Sequence, residues 1–166
     1  MKKIFFLALC VVCVAASLAG ETLMVSVGTG VPGILETTEY RFCFSAIEDG
    51  LMGELFLAGH IVFNDAGFRS SPERAMTLRR ARDGGAVRVV FVDCVYEAQA
   101  LTASASGKIV VAIPAKISIA YIDARDGGEI TEKEFLPAEK PKPPRMPMED
   151  YYALLGKEAA KYILSQ

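Results

Sequence analysis

Three glycines between residues 28 and 33 have the spacing of a nucleotide-binding motif. Gly28, Gly30 and Gly33 follow an apolar stretch and give the pattern G-x-G-x-x-G. In dinucleotide-binding proteins, this pattern places the amides at the start of a helix against a pyrophosphate. Here the first helical pattern begins several residues after the motif. The ribose-binding acid expected about 20 positions on, after the second strand, would be Asp65, which lies much farther along. We therefore predict no cofactor and keep small-ligand binding by the Gly28–Gly33 loop as an alternative function.

The remaining residues that could do chemistry do not form a catalytic or metal-binding pattern. His60 is the only histidine, which excludes a multi-histidine metal site and leaves one candidate general base. Cys43 or Cys94 could act as a nucleophile with His60, but no motif supports that pairing. Three acids around a predicted turn could gather calcium, although their spacing is not that of an EF-hand loop: Asp123, Asp126 and Glu129. We predict no catalytic residue and no metal, and an enzyme is the third hypothesis.

The amino terminus has the layout of a secretory signal peptide. Lys2 and Lys3 precede an apolar run, and small residues follow it. We predict that residues 1–19 are removed by cleavage after Ala19, with cleavage after Ala16 as the alternative. The apolar run is shorter than the about 20 residues that a membrane span needs, although a retained anchor is the alternative. The mature protein is thus expected to be periplasmic or secreted, without a stable membrane span.

The four cysteines divide between the signal peptide and the mature chain. Cys10 and Cys13 each follow a large apolar residue, whereas a lipidated cysteine requires a small one, so we predict that the protein is not a lipoprotein. Cys43 and Cys94 remain after cleavage, and an oxidising compartment would permit a disulfide between them. Their apolar surroundings favour the alternative of two buried thiols.

Charge and proline content outline the domain organisation. The 166-residue chain has a formal net charge of −2, and it lacks the concentrated basic surface that nucleic acid requires. After the signal peptide we predict a single α/β domain over residues 20–136. A proline-rich spacer follows over 137–147, and an amphipathic helix over 148–166.

Hydrophobic periodicity within residues 20–136 predicts the order β-α-β-α-β-β-β. The first helix has a stripe of apolar residues, with Glu48 off it: Ile47, Leu51, Leu55, Ala58 and Val62. "HIVFN" reads as a short buried strand and "AVRVVFVDCVYEA" as a central strand covered on both faces. A long strand from Ile109 to Tyr121, in which Pro114 indicates either an edge position or a bulge where the strand bends, then pairs with "EITEKEF". Helix-connected strands should be parallel, so we predict an α/β (α+β) fold with a mixed sheet of about five strands.

The predicted carboxy-terminal helix has one apolar face. Acids stand at its start and lysines follow, as the helix dipole favours. The face consists of Tyr152, Leu155, Ala159, Tyr162 and Ile163. It could pack on the chain's own domain or bind a partner, so it is a candidate partner-binding face.

Three segments resemble small α/β domains of bacterial envelope proteins. They are "GHIVFNDAGF", "SPERAMTLRRARDGGAVRVVFVDCVYE" and "IVVAIPAKISIAYIDARDGGEI", the last with an Asp-x-x-x-Gly turn at Asp123–Gly127. The similar families are the amino-terminal domain of the Tol-system translocation protein, the lipoprotein activators of penicillin-binding proteins, and curli-secretion and flagellar accessory domains. The resemblance implies a non-enzymatic role in docking to envelope proteins, with no catalytic residue to carry over.

These observations together predict an exported, non-enzymatic interaction or assembly module of the cell envelope. Its expected partners are envelope proteins or further copies of the same chain.

Overall fold

The computed structural model describes residues 20–30, 38–65, 69–70, 74–97 and 112–166. The predicted signal peptide and residues 31–37 lie outside the described residues, and cleavage after Ala19 stays a prediction. The strands are β1 (Thr22–Thr29), β2 (Ile61–Asn64), β3 (Arg69–Ser70), β4 (Arg88–Val95), β5 (Lys116–Asp123) and β6 (Glu129–Phe135). The helices are α1 (Thr38–Leu57), α2 (Arg74–Asp83) and α3 (Met148–Leu164), with a short 3-10 turn at Pro137–Glu139.

The strands form one mixed sheet in the order β2-β1-β4-β5-β6, with β3 also paired to β1. β1 runs parallel to β2, β3 and β4, while β4–β5 and β5–β6 are antiparallel. The parallel pairs arise because helices connect β1 to β2 and β3 to β4, which brings each new strand back in the same direction. The predicted mixed sheet and element order are confirmed.

The two faces of the sheet are covered unequally. α1 and α3 form a layer over one face, where Leu23, Val25 and Val27 of β1 meet the larger hydrophobic core. α2 covers the other face, where Met24, Val89 and Phe91 belong to a smaller cluster. β4 is buried on both faces, as predicted, because it lies between β1 and β5 and under both layers.

α1 departs from its prediction at three positions, one of which is Val62, because that residue belongs to β2 and not to the helical stripe. Ile47, Leu51 and Leu55 are buried as the apolar stripe requires, but Ala58 follows the helix in an exposed turn. Glu48 was expected off the apolar stripe and is instead 7% exposed. The reason is that β2 lies beside α1 at this level, which was not visible from helical periodicity.

β2 and β5 also differ from the sequence-based expectation. β2 was predicted as a buried strand, but Ile61 is 63% exposed because β2 lies at the edge of the sheet. The long strand from Ile109 was wrong for residues 112–115, since β5 begins at Lys116. Pro114 has no amide donor and precedes the first residue of β5 by two positions. Residues 109–111 lie outside the described part of the chain.

α3 packs on its own domain, against α1. The two helices approach so closely that a Cβ atom at Gly50 would lie 2.2 Å from the Ala153 carbonyl oxygen. A Cβ atom at Gly156 would lie 2.1 Å from the Ile47 carbonyl oxygen. The proline-rich segment is fastened to α3, because the Tyr151 hydroxyl donates to the carbonyl oxygens of Lys140 at 2.8 Å and Pro137 at 3.1 Å.

Candidate functional site

The carboxyl ends of the parallel strands form the edge at which open α/β sheets usually bind ligands. Gly28, the first glycine of the motif, pairs with Arg69 of β3 and with Asp93 of β4. It is therefore inside the sheet, whereas a dinucleotide motif needs this glycine in the turn after the strand. Gly30 follows β1, and residues 31–33 lie outside the described residues. This geometry is not that of a dinucleotide-binding turn.

Asp65 is the most buried acid at this edge. It follows β2 and is 2% exposed, and its carboxylate accepts hydrogen bonds from Nε and Nη2 of Arg80, each at 2.8 Å. The Thr77 hydroxyl donates to the same carboxylate at 2.9 Å. Thr77 and Arg80 are three residues apart and share one side of α2. The group thus fixes α2 to the end of β2, and its carboxylate is engaged by the protein itself.

Glu48 lies on the opposite side of the same strand end. It accepts a hydrogen bond from Nδ2 of Asn64 at 3.2 Å, and burial raises the pKa of its carboxyl group. The neighbouring Asp49 and Asp65 raise that pKa further, while the Asn64 hydrogen bond lowers it. Asn64 and Asp65 are consecutive and point to opposite faces of the sheet. The two buried acids are therefore held apart by the sheet rather than paired as an acid and a base.

Arg74 and Asp93 complete the polar groups at this edge. The Arg74 guanidinium lies 3.4 Å from the Asp93 carboxylate and stacks 5.3 Å above the centre of the Phe91 ring. Each of these charges has a partner within the protein, so the described part of the edge holds paired groups rather than an assembled reaction centre.

His60 lies at the other end of the sheet from the two cysteines of the mature chain. It immediately precedes β2, next to Gly20, whereas Cys94 stands at the far end of β4. The rise of about 3.3 Å per strand residue places these levels roughly 20 Å apart. A cysteine–histidine catalytic pair is therefore not formed. The His60 Nδ1 atom is buried without a hydrogen-bond partner among the described residues.

Cys43 and Cys94 are both buried, free thiols in the larger core, which is the arrangement that their apolar surroundings favour, and the alternative of a disulfide stays a prediction. Burial raises the pKa of Cys43 to about 11 and raises the pKa of Cys94 well above its ordinary value. Since the thiolate is the reactive form, neither group has the properties of a nucleophile.

The predicted partner-binding face of α3 lies in the interior. Tyr152, Leu155, Ala159 and Ile163 are at most 5% exposed and belong to the core shared with α1. Tyr162 is half-buried, with Lys133 Nζ 4.7 Å above its ring. A partner could reach this face only if α3 left the domain.

Two of the three candidate acids near the β5–β6 turn are engaged locally, while the third, Glu129, is the exposed first residue of β6. Asp123 pairs with Arg125 and Arg88, and its pKa is lowered chiefly by the hydrogen bond from the Arg125 side chain. Asp126 accepts a hydrogen bond from the Gly128 amide at 2.7 Å. In the described ranges, no three acids, histidines or cysteines are placed to hold a metal ion.

Among the described residues, no helix has the length and apolar character needed to cross a membrane.

α1 presents an exposed surface that the sequence analysis missed. We call it the α1 outer face; it consists of two half-buried residues, Ser45 and Met52, and of the exposed Thr38, Arg41, Phe42, Asp49, Gly53 and Phe56. Phe42 is 62% exposed and Phe56 is 70% exposed. A groove of about 300 Å³ is lined by four of these residues, Thr38, Arg41, Phe42 and Ser45. The three- and four-residue spacing between 42, 45, 49, 52 and 56 is a signal that could have revealed this second stripe.

The fold and this surface define a small mixed α/β domain with a two-helix layer and a partly apolar outer helix face. No protein-family description matches the chain, and no curated protein matches it either. Among solved structures, the PelC dodecamer from Paraburkholderia phytofirmans is 14% identical, with a TM-score of 0.47 and 85% of each chain covered.

Two further structures extend this comparison. Lipoprotein GNA1162 from Neisseria meningitidis is 9% identical, with a TM-score of 0.45, over 88% of this chain and 99% of that one. The LpoB C-terminal domain from Escherichia coli is 19% identical, with a TM-score of 0.35, over 70% of this chain and 82% of that one. The predicted resemblance to small envelope-protein domains is confirmed, and no partner or activity is inferred from it.

Proposed function

We propose that this protein is an exported, non-enzymatic interaction or assembly module of the cell envelope, working in the periplasm. The observation that carries the proposal is the α1 outer face. Phe42 and Phe56 stand largely exposed on a 20-residue helix whose other sides are held by α3 and the sheet. Exposed aromatic side chains on a rigid element are typical of protein-binding surfaces.

The state of the polar groups supports binding rather than catalysis. Asp65, Arg74 and Asp93 are engaged in ion pairs that connect α2 to the sheet. The thiols of Cys43 and Cys94 are buried, and His60 lies at the other end of the sheet. The proposal that the chain is exported is supported by the signal-peptide layout of residues 1–19.

The test is a crosslinked pull-down of the tagged mature chain from native envelope fractions, read by mass spectrometry. The matched variants are Phe42→Ser, which changes the α1 outer face, and Ile130→Ser, which changes an apolar residue that is 44% exposed on β6. We expect a specific partner, or the chain itself, to be lost with Phe42→Ser and kept with Ile130→Ser. A chain that stays monomeric and captures nothing specific would contradict the proposal.

Small-ligand binding at the Gly28–Gly33 loop is a second proposal, supported by the position of Gly30 at the carboxyl end of β1. A Cβ atom at Gly30 meets nothing within 4 Å, so Gly30→Ala should leave the fold intact. A thermal-shift screen with nucleotides and sugars, applied to both chains, tests it. A ligand that stabilises only the parent chain supports this function, and equal shifts in both contradict it.

A further inference from the structure

We infer that the α1 outer face binds the α1 outer face of a second copy of this chain, with the two helices antiparallel about a two-fold axis at Ser45. This inference rests on the proposed function and specifies its partner. It begins from a charge pattern: Arg41, Ser45 and Asp49 are spaced by four residues. Positions four apart form one ridge on a helix surface.

The ridge is complementary to itself when it is reversed. A two-fold axis at Ser45 places Arg41 of each copy opposite Asp49 of the other, which gives two equivalent ion pairs. Both side chains are exposed, and neither has an ion-pair partner within the described ranges. A parallel arrangement would instead bring like charges together. The charges therefore select an antiparallel second copy.

The shape of the face agrees with this arrangement. In the commonest helix–helix geometry, the i±4 ridges of each helix pack into the grooves beside the i±4 ridges of the other, with a crossing angle of about 50°. Ser45 is small and stands at the crossing point, where it permits a close approach. The groove of about 300 Å³ beside Arg41 and Phe42 can receive the partner ridge. Contact there would remove Phe42, now 62% exposed, from water.

Within the described part of the chain, the opposite sides of α1 are already occupied, and the α1 outer face is the one left for a partner. Ile47 and Leu51 face the core and α3, and Glu48 faces β2. A second copy docked on the α1 outer face would thus add a helix layer without disturbing the domain.

Sedimentation equilibrium of the mature chain over a concentration series, with charge-reversal variants, tests the inference. We expect a dimer whose dissociation constant rises at least about tenfold in Arg41→Asp and in Asp49→Arg, since each change creates two like-charge pairs. The double variant Arg41→Asp with Asp49→Arg should restore dimerisation, which a folding defect would not do. Arg79→Asp, an exposed residue of α2, is the matched control.

Crosslinking fixes the position of the axis. Oxidation of Ser45→Cys should join two chains, whereas Gly53→Cys, two turns from the axis, should not. The inference is overturned if the charge reversals leave the dissociation constant of the dimer unchanged, or if the double variant does not restore dimerisation. A monomer that still loses an envelope partner with Phe42→Ser overturns self-pairing and leaves the proposed function standing. A monomer without any partner overturns both.

Discussion

Asp65 shows how a single buried charge can organise the end of a strand. Asp65 is 2% exposed, and its carboxylate accepts hydrogen bonds from two nitrogen atoms of Arg80 and from the Thr77 hydroxyl. Removing Arg80 would take two hydrogen-bonding nitrogen atoms and a positive charge away from this buried carboxylate, and the loss of a charged partner in the interior is costly.

We expect Arg80→Met to lower the free energy of unfolding by about 2 kcal/mol, less than for a fully buried pair because the arginine is partly exposed. Urea denaturation measures the change. Arg79→Met, on the exposed side of the same helix, is the control and should change stability by less than about 0.5 kcal/mol. Equal stabilities for the two variants would show that the Asp65 pair has no role in holding α2.

Glu48 gives a residue-scale prediction for pH. Burial raises its folded-state pKa above the unfolded value, so the folded chain holds the proton more tightly. As pH rises above about 4.5, the unfolded chain releases this proton first, and ionisation of Glu48 then destabilises the fold. Glu48→Gln should therefore gain stability relative to the parent as pH increases from 4 to 8. Parallel denaturation curves test this, and a difference independent of pH would contradict it.

The two cysteines of the mature chain should be unreactive until the protein unfolds. Burial raises the pKa of Cys43 to about 11 and that of Cys94 further, which suppresses both thiolates near neutral pH. We expect a thiol-specific dye at pH 8 to label neither residue in the native protein and both in denaturant. An absence of labelling in denaturant without reductant would instead establish the Cys43–Cys94 disulfide.

At the scale of elements, the crossing of α1 and α3 depends on two glycines. Gly50→Ala or Gly156→Ala would place a Cβ atom within about 2.2 Å of a carbonyl oxygen of the facing helix. The helices would have to separate, at a cost of about 1–3 kcal/mol that exceeds the gain in helix propensity.

Gly53→Ala is the matched control for these substitutions. It lies on the same helix as Gly50, but its Cβ would meet nothing within 4 Å. It should raise stability by up to about 1 kcal/mol, because alanine favours the helix. Thermal denaturation of dilute protein separates the two effects, and a stabilising Gly50→Ala would disprove the close crossing.

Local signals explain why most elements could be predicted. The double glycine after α2 ends that helix, with Gly85 at a φ of +79°, a backbone conformation that other residues rarely adopt. β4 reads as apolar at successive positions because both of its faces are covered. Such information lies within a few residues of the element it defines.

The predictions that were wrong concern burial and exposure that depend on how the elements pack on one another. Ile61 is apolar and yet exposed, because the edge position of β2 depends on which strands pair. Glu48 is polar and yet buried, since Asn64 lies beside it only in the folded sheet. The candidate site was missed for a similar reason, because the exposure of Phe42 follows from where α3 docks.

For the whole molecule, the carboxy-terminal helix is expected to be necessary for folding. It contributes several large side chains that are nearly inaccessible to water: Tyr151, Tyr152, Leu155 and Ile163. Their burial contributes on the order of 8 kcal/mol, which is similar to the whole stability of a typical domain. A chain truncated after Leu136 should therefore lose its near-ultraviolet circular dichroism and its cooperative urea transition.

Removal of Ser165 and Gln166 alone is the control for this truncation, because both residues are exposed. That chain should keep the parent transition. Cooperative unfolding of the chain truncated after Leu136 would mean that α3 is an appendage, and its apolar face would then be available to a partner.

The packing of α3 on α1 also sets the order of events during synthesis. α1 ends at Leu57 and the helix that covers it begins at Met148, so residues 58–147 separate the two helices. On the ribosome, the apolar side of α1 stays uncovered until the residues of α3 have also been synthesised. Contacts between such distant segments also slow folding. During that interval the uncovered apolar side of α1 is a site at which chaperones can bind the nascent chain.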